Sequence, residues 1–125
     1  MAKISIWQRI INLFTGKKQP AHEPAQVKDG IWYAKQADGS YLLGIDKSVY
    51  DLMGKITFAD FPNQLDTIQV DDDLLDIEGD KSVETLKSPI AGKIIERNKD
   101  IGKDIDELNK PDPEVNWIMK VQPTD

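Results

Sequence analysis

The sequence contains no cysteine. That removes disulfide frameworks, thiolate nucleophiles, CxxC redox pairs and cysteine-based zinc sites together. A single histidine, His22, excludes a multi-histidine metal site and an HExxH protease. A Ser-His-Asp triad would have to use that same residue, which sits among prolines with no positioned neighbours. No GxGxxG or GxxxxGKS/T loop is present to cradle a phosphate. Apolar runs are short: Ile31 to Ala34, one of the longest, has about four residues where a membrane span needs roughly twenty. Basic residues are the minority, 16 against 22 acids, for a net charge of −6. Phosphates would be repelled at long range, so no nucleic-acid partner is expected. The abundant carboxylates show no spacing that marks a glycosidase pair. What remains is a 125-residue acidic chain, long enough for one domain with a core of its own and a short appendage.

The charge is unevenly spread. Residues 1–22 carry Lys3, Arg9, Lys17 and Lys18 and no acid, whereas the other 103 residues hold twelve bases and twenty-two acids. A +4 arm thus precedes a −10 body. At about 100° per residue, Ile4, Ile6, Trp7, Ile10, Ile11, Leu13 and Phe14 gather on one half of a helical wheel. Gly16 ends that helix, with Lys17 and Lys18 at the terminus that favours cations. Residues 17–29, with Pro20 and Pro24, read as an extended linker. The division expected is therefore 1–28 as basic amphipathic helix plus linker and 29–125 as the folded domain. Residues 4–14 could pack on the body or on another copy, or lie in a membrane surface. As a mitochondrial transit peptide the segment is a poor match, with one Arg and little Ser or Thr.

From Ile31 onward, short β-prone runs alternate with turn signals. Ile31–Ala34 and Tyr41–Ile45 flank an Asp38-Gly39 hairpin signal. Asp46 can cap a short helix over Lys47–Met53, ended by Gly54. Further strands are expected over Lys55–Phe61, Asp66–Val70, Leu74–Glu78, Val83–Lys87, Gly92–Arg97 and Asn116–Val121, with a helical turn over Asp104–Asn109. Many short strands with evenly spaced turns point to an all-β barrel or sandwich. Gly54-Lys55-Ile56 and Gly92-Lys93-Ile94 form a faint internal echo.

The stretch most informative for function runs from Asp76 to Gly92. Two strand-like segments flank Gly79-Asp80-Lys81, which puts Lys81 at the tip of a tight turn with its amine accessible on a flexible stem. Most turn lysines are solvated charges and nothing more. The surrounding pattern, however, resembles the modified-lysine hairpin of lipoyl carrier domains: Glu78 precedes the lysine by three, Ser88-Pro89 begins seven after it, and Ile90-Ala91-Gly92-Lys93-Ile94 continues. Biotin carriers flank their lysine with methionines; here the flanks are Asp80 and Ser82. Asp80-Lys81 is similar to the lipoyl domains of 2-oxo acid dehydrogenase transferases, but the rest of the chain is not. Ile31-Trp32-Tyr33, Gly39–Ile45, Leu52-Met53-Gly54 and Ile56–Pro62 resemble the glycine cleavage system H protein family, as do Ile94–Asn98, Leu108-Asn109 and Asn116–Val121. The resemblance covers roughly residues 29–122.

It implies an all-β barrel-sandwich hybrid, a flattened barrel with short peripheral helices, beside the N-terminal amphipathic helix. It also implies that the chain is not an enzyme but a cytoplasmic carrier with lipoate amide-linked to Lys81 and no metal. Glu78 and Asp80 would be recognised by a lipoate ligase or lipoyl transferase. Dihydrolipoamide dehydrogenase and the glycine cleavage enzymes would be its clients. Three departures stand out. Gly30-Ile31-Trp32 replaces a usual His-Glu-Trp, Glu114-Val115-Asn116 replaces a Gly-rich approach to Trp117, and Gly79-Asp80 replaces a common Ser-Val. In these the chain is more similar to short H-like proteins grouped with lipoate ligase, macrodomain and sirtuin-type ADP-ribosyl-transfer proteins, which implies a post-translational, redox-response role. Seven acids near the lysine in sequence (Asp71, Asp72, Asp73, Asp76, Glu78, Asp80, Glu84) are expected to make a negative tip. They could steer basic partners or serve solubility and edge protection. An unmodified barrel that docks through its basic helix is the alternative.

Overall fold

The computed structural model describes residues 25–110 and 112–124. The amphipathic helix expected over 4–14 lies outside these residues. Nine strands and three short helices follow in the order β1 (Gln26–Lys28), β2 (Ile31–Lys35), β3 (Tyr41–Ile45), α1 (Lys47–Met53), β4 (Ile56–Asp60), β5 (Thr67–Ile68), β6 (Asp73–Gly79), β7 (Val83–Lys87), β8 (Gly92–Arg97), α2 (Ile105–Leu108), α3 (Pro113–Asn116) and β9 (Trp117–Pro123). The strands form a six-stranded sheet in the order β1-β2-β3-β9-β8-β5 and a three-stranded sheet in the order β4-β6-β7. All pairings are antiparallel. The two sheets do not close on each other, so the architecture is the expected all-β flattened barrel-sandwich with few short helices.

Alternation along the strands decides which residues meet. In β2 and β3, Ile31, Leu43 and Ile45 point into the main core with Met53, Ile56, Leu75, Ile77 and Ile118, which draws on both sheets. The residues between them, Trp32 and Leu42, join Trp117 in a second cluster. Gly44 lies opposite Trp32 in the ladder, and a Cβ there would come within 2.0 Å of the indole. The ring therefore lies flat over the glycine. Its Nε1 donates to Asn116 Oδ1 at 3.3 Å, tying α3 to the sheet.

Most expected elements occupy their expected residues, including α1 with Asp46 accepting from the Ser48 amide and Gly54 ending the helix at φ 74°. The differences are local. Three residues read as linker form β1, an exposed edge strand whose only burial signal is its pairing with β2. The strand expected over Asp66–Val70 shrinks to Thr67–Ile68. Asn116 belongs to α3 rather than to the last strand, which runs on to Pro123. The Asp112-Pro113-Glu114 start of α3 is itself a helix signal that the strand pattern overshadowed: cap, proline in the first turn, acid after it. The two copies of Gly-Lys-Ile fall at the starts of β4 and β8, one in each sheet.

Candidate functional site

Lys81 stands where the sequence places it, exposed at the tip of the β6–β7 hairpin. Period-two alternation builds that hairpin: Leu75 and Ile77 point inward and are fully buried, while Glu78, Asp80 and Glu84 remain exposed. Ladder partners Ile77–Glu84 and Glu78–Val83 fix the register, and Thr85 Oγ1 donates to Asp76 Oδ1 at 2.7 Å across the strands. The Gly79 amide donates to the Ser82 carbonyl at 2.9 Å and closes the tip.

Two-residue hairpin loops usually need positive φ to match the strand twist. Among the described residues the positive-φ non-glycines are Asp29 and Asp71, so Asp80 and Lys81 do not supply it. Support comes from outside the hairpin. The Asp80 amide donates to the Lys55 carbonyl and the Lys81 amide to the Met53 carbonyl, each at 3.0 Å. The segment 53–55, between α1 and β4, thus forms a ledge on which the turn sits. Gly54 leaves its α-carbon bare there; a Cβ would lie 3.5 Å from Lys81 Cγ and 3.6 Å from Cδ. The lysine stem rests against that surface. Gly79 is equally constrained, since a Cβ would come within 2.7 Å of the Met53 carbonyl oxygen. Neither glycine's role is visible from the hairpin sequence alone.

The ledge is anchored in turn by the C-terminal part of the chain. Asn109 Oδ1 accepts from the Ile56 amide at 2.7 Å, and its Nδ2 donates to the Ile56 and Ile105 carbonyls at 2.8 and 2.9 Å. The Tyr50 hydroxyl on α1 donates to the Leu108 carbonyl at 2.8 Å and accepts from Asn116 Nδ2 at 3.4 Å. Burial pushes the Tyr50 phenol up from its ordinary 10.0, with the Asn116 bond opposing.

The negative tip expected of seven acids is corrected. Glu78, Asp80 and Glu84 do lie near the lysine. Asp71–Asp73 stand at the far end of the hairpin, because strands advance about 3.3 Å per residue and β6 is fully extended. Two of their side chains are occupied there. Asp73 pairs with Lys87, raising the lysine above its ordinary value, and Asp72 Oδ2 accepts from the Gln69 amide at 2.9 Å. Nearer the tip, Asp76 is taken by Thr85. Among the described residues the Lys81 ammonium has no ion pair, although Asp80 is its neighbour. Its amine is available to a reagent carboxyl, which is what an amide-linked group requires.

A cleft of about 320 Å³ opens beside the hairpin, lined by Gly30, Val49 and Leu52 and by Glu84, Thr85 and Leu86 of β7. Val83 and Leu52 are 71% and 61% exposed, apolar flanks to an otherwise acidic tip. Sequence reasoning missed this cleft, since its walls come from three separated segments. Gly30 has φ +86°, and a Cβ there would meet Val49 Cγ2 at 2.8 Å. The departure at this position is therefore built into the packing. Among the described residues no group of three or more acidic or histidine side chains could hold a metal ion, and no helix is long and apolar enough to cross a membrane.

Comparison with known proteins gives the same direction. A family model described as glycine cleavage H-protein matches residues 22–125. The glycine cleavage system H protein of Enterobacter sp. is 33% identical over 106 residues, which cover 82% of this chain and 81% of the relative. That of Oceanobacillus iheyensis is 32% identical over 98 residues, covering 78% and 77%. Among solved structures, a glycine cleavage system H protein from Mycobacterium marinum superposes with a TM-score of 0.68, covering 80% of this chain and 83% of its own at 24% identity, which supports the fold. With the family model spanning most of the sequence and relatives matching along most of both chains, this protein belongs to the glycine cleavage H-protein family.

Proposed function

We propose that Lys81 holds lipoate through an amide between its Nζ and the lipoyl carboxyl, and that the chain presents this arm to partner enzymes. Proteins of this family are carriers rather than enzymes, and they bear covalently attached lipoate. The observation that carries the assignment to Lys81 is its position: exposed, without an ion pair among the described residues, on a turn whose two amides are pinned to the 53–55 ledge. When bound, the lipoyl group supplies the two sulfurs that a cysteine-free chain lacks. The chain's own part is mechanical and electrostatic. Tethering raises the local concentration of the arm at a partner's active site. Glu78 and Asp80 offer exposed carboxylates beside the acceptor, where a lipoate ligase or lipoyl transferase with a basic rim would read them.

Family membership implies contact with the glycine cleavage enzymes and a lipoyl ligase, and reoxidation of the arm would fall to dihydrolipoamide dehydrogenase. A second client set is favoured by particular residues. Gly30 and Gly79 stand at two of the positions where the chain departs from common H proteins, and neither tolerates a side chain without displacement. By resemblance to the short H-like proteins that share these departures, the second reading is a redox-response role beside sirtuin- and macrodomain-type ADP-ribosylation proteins. Glycine decarboxylation with the lipoylated protein and its partner enzymes tests the first set: turnover supports it, and no turnover with a fully lipoylated sample contradicts it. The assignment to Lys81 is tested by coexpression with a lipoate ligase followed by peptide mapping. An adduct on the peptide that contains Lys81 is expected. An adduct on another lysine contradicts it, and no adduct at all favours an unmodified docking module.

A further inference from the structure

We infer that Asn109 is a positioning residue for Lys81, acting through the free edge of β4. The inference rests on the reading of Lys81 as the modified lysine, and its geometry is independent of that reading. β4 is an outer strand of the three-stranded sheet, so one side of its backbone has no strand partner. At its first residue, Ile56, the Asn109 carboxamide fills that place. Oδ1 takes the amide at 2.7 Å and Nδ2 serves the carbonyl at 2.8 Å, the pair of bonds a neighbouring strand would make. Asn109 comes from 53 residues further along the chain. It is held in turn by its bond to Ile105 and by Leu108, which is 1% exposed.

On its other side, Ile56 pairs with Gly79 of the lysine hairpin. One residue back, the Lys55 carbonyl accepts the Asp80 amide, and the Met53 carbonyl accepts the Lys81 amide. The ledge lacks regular structure at Gly54 and Lys55, so its carbonyls are aimed by what fixes its ends. Tyr50 fixes α1 through the Leu108 carbonyl, and Asn109 fixes Ile56. The two ties run to adjacent residues, Leu108 and Asn109. Because Asp80 and Lys81 lack the backbone conformation that would make their turn self-supporting, loosening the ledge releases the turn. An acceptor lysine that is correctly presented only part of the time binds its ligase more weakly by that fraction, while bound complexes react normally.

The experiment uses the full chain as wild type, Asn109→Ala and Ile118→Val, the last a core change in the other sheet that lowers stability while keeping every hydrogen bond of the ledge. Amide exchange at Asp80 and Lys81 is measured beside KM and kcat of lipoate ligase acting on each protein, at a temperature where all are folded. In Asn109→Ala, exchange at both amides and KM should rise about tenfold, with kcat little changed, as expected for losing an edge bond that leaves a partner unpaired. Ile118→Val should stay within about twofold on all three. Wild-type exchange at Asp80 and Lys81 in Asn109→Ala overturns the inference, as does an equal KM rise in Ile118→Val. Should Asn109→Ala fail to fold, Tyr50→Phe removes the bond to the Leu108 carbonyl, together with the longer one from Asn116 Nδ2, with a rise of about threefold expected and no change contradicting the inference. If even the wild type takes no lipoate, the Lys81 reading fails, and the exchange data still decide the role of Asn109.

Discussion

The β2–β3 and β6–β7 hairpins are built on opposite principles. At the tip of β2–β3, the turn is self-contained. Asp38 Oδ1 accepts from the Ser40 amide and hydroxyl at 3.0 and 2.6 Å, Gly39 takes φ +88°, and nothing stands within 4 Å of where its Cβ would be. At the tip of β6–β7, the turn carrying Lys81 has neither a glycine at positive φ in its loop nor space at Gly79, and it leans on carbonyls of Met53 and Lys55. The first turn closes through hydrogen bonds among its own five residues, with one outside ion pair from Lys120 to Asp38. The second needs three separate stretches of chain to be folded, and that dependence holds Lys81 in one place without burying it.

The largest expected effect breaks the dependent turn directly. Gly79→Val pushes two methyl groups at the Met53 carbonyl and should cost roughly 2–3 kcal/mol, read as a lowered midpoint in urea. Loss of under about 0.5 kcal/mol would mean the ledge is not a rigid seat. Gly39→Ala tests the self-contained turn, where space is open and only the positive φ objects. It should cost about 1 kcal/mol, and Lys81 should be lipoylated at the wild-type rate. A fall in lipoylation there would show that the two turns are coupled after all.

The smallest effect is a pH dependence confined to the first turn. Hydrogen bonds from Ser40, led by its hydroxyl, lower Asp38 from 3.8 to about 2, with Lys120 at 3.2 Å contributing less. A carboxyl depressed in the folded state stabilises fully above its ordinary value, and that contribution fades as pH falls between about 4 and 2. The Asp38 side chain is 58% exposed, so the effect is small and weakened by salt. Asp38→Asn should flatten the fall in Tm over that window. Parallel pH curves for the two proteins would contradict it.

The same contrast explains what could be read in the sequence. Asp38-Gly39, the Asp46 cap, Gly54 as a stop and the β-prone runs of β2, β3, β6, β7 and β8 are local signals, and they placed elements within a residue or two. The position of Lys81 followed from two of those strands and from its family resemblance. What supports Lys81 was not legible, because the pairs Asp80–Lys55, Lys81–Met53 and Ile56–Asn109 join residues whose spacing has no period. The acids misled for the related reason that nearness in sequence along an extended strand is distance in space, so Asp71–Asp73 ended far from the lysine they precede. β1 was hidden by its exposure on every residue.

The central claim, that this fold exists to present one modified lysine, is tested most directly by intact-mass measurement after coexpression with a lipoate ligase. The account predicts a single lipoyl adduct on the wild-type chain and none on Lys81→Arg, with both proteins unfolding at the same urea midpoint. A lipoyl adduct that persists in Lys81→Arg, or a wild-type chain that stays unmodified, would contradict it.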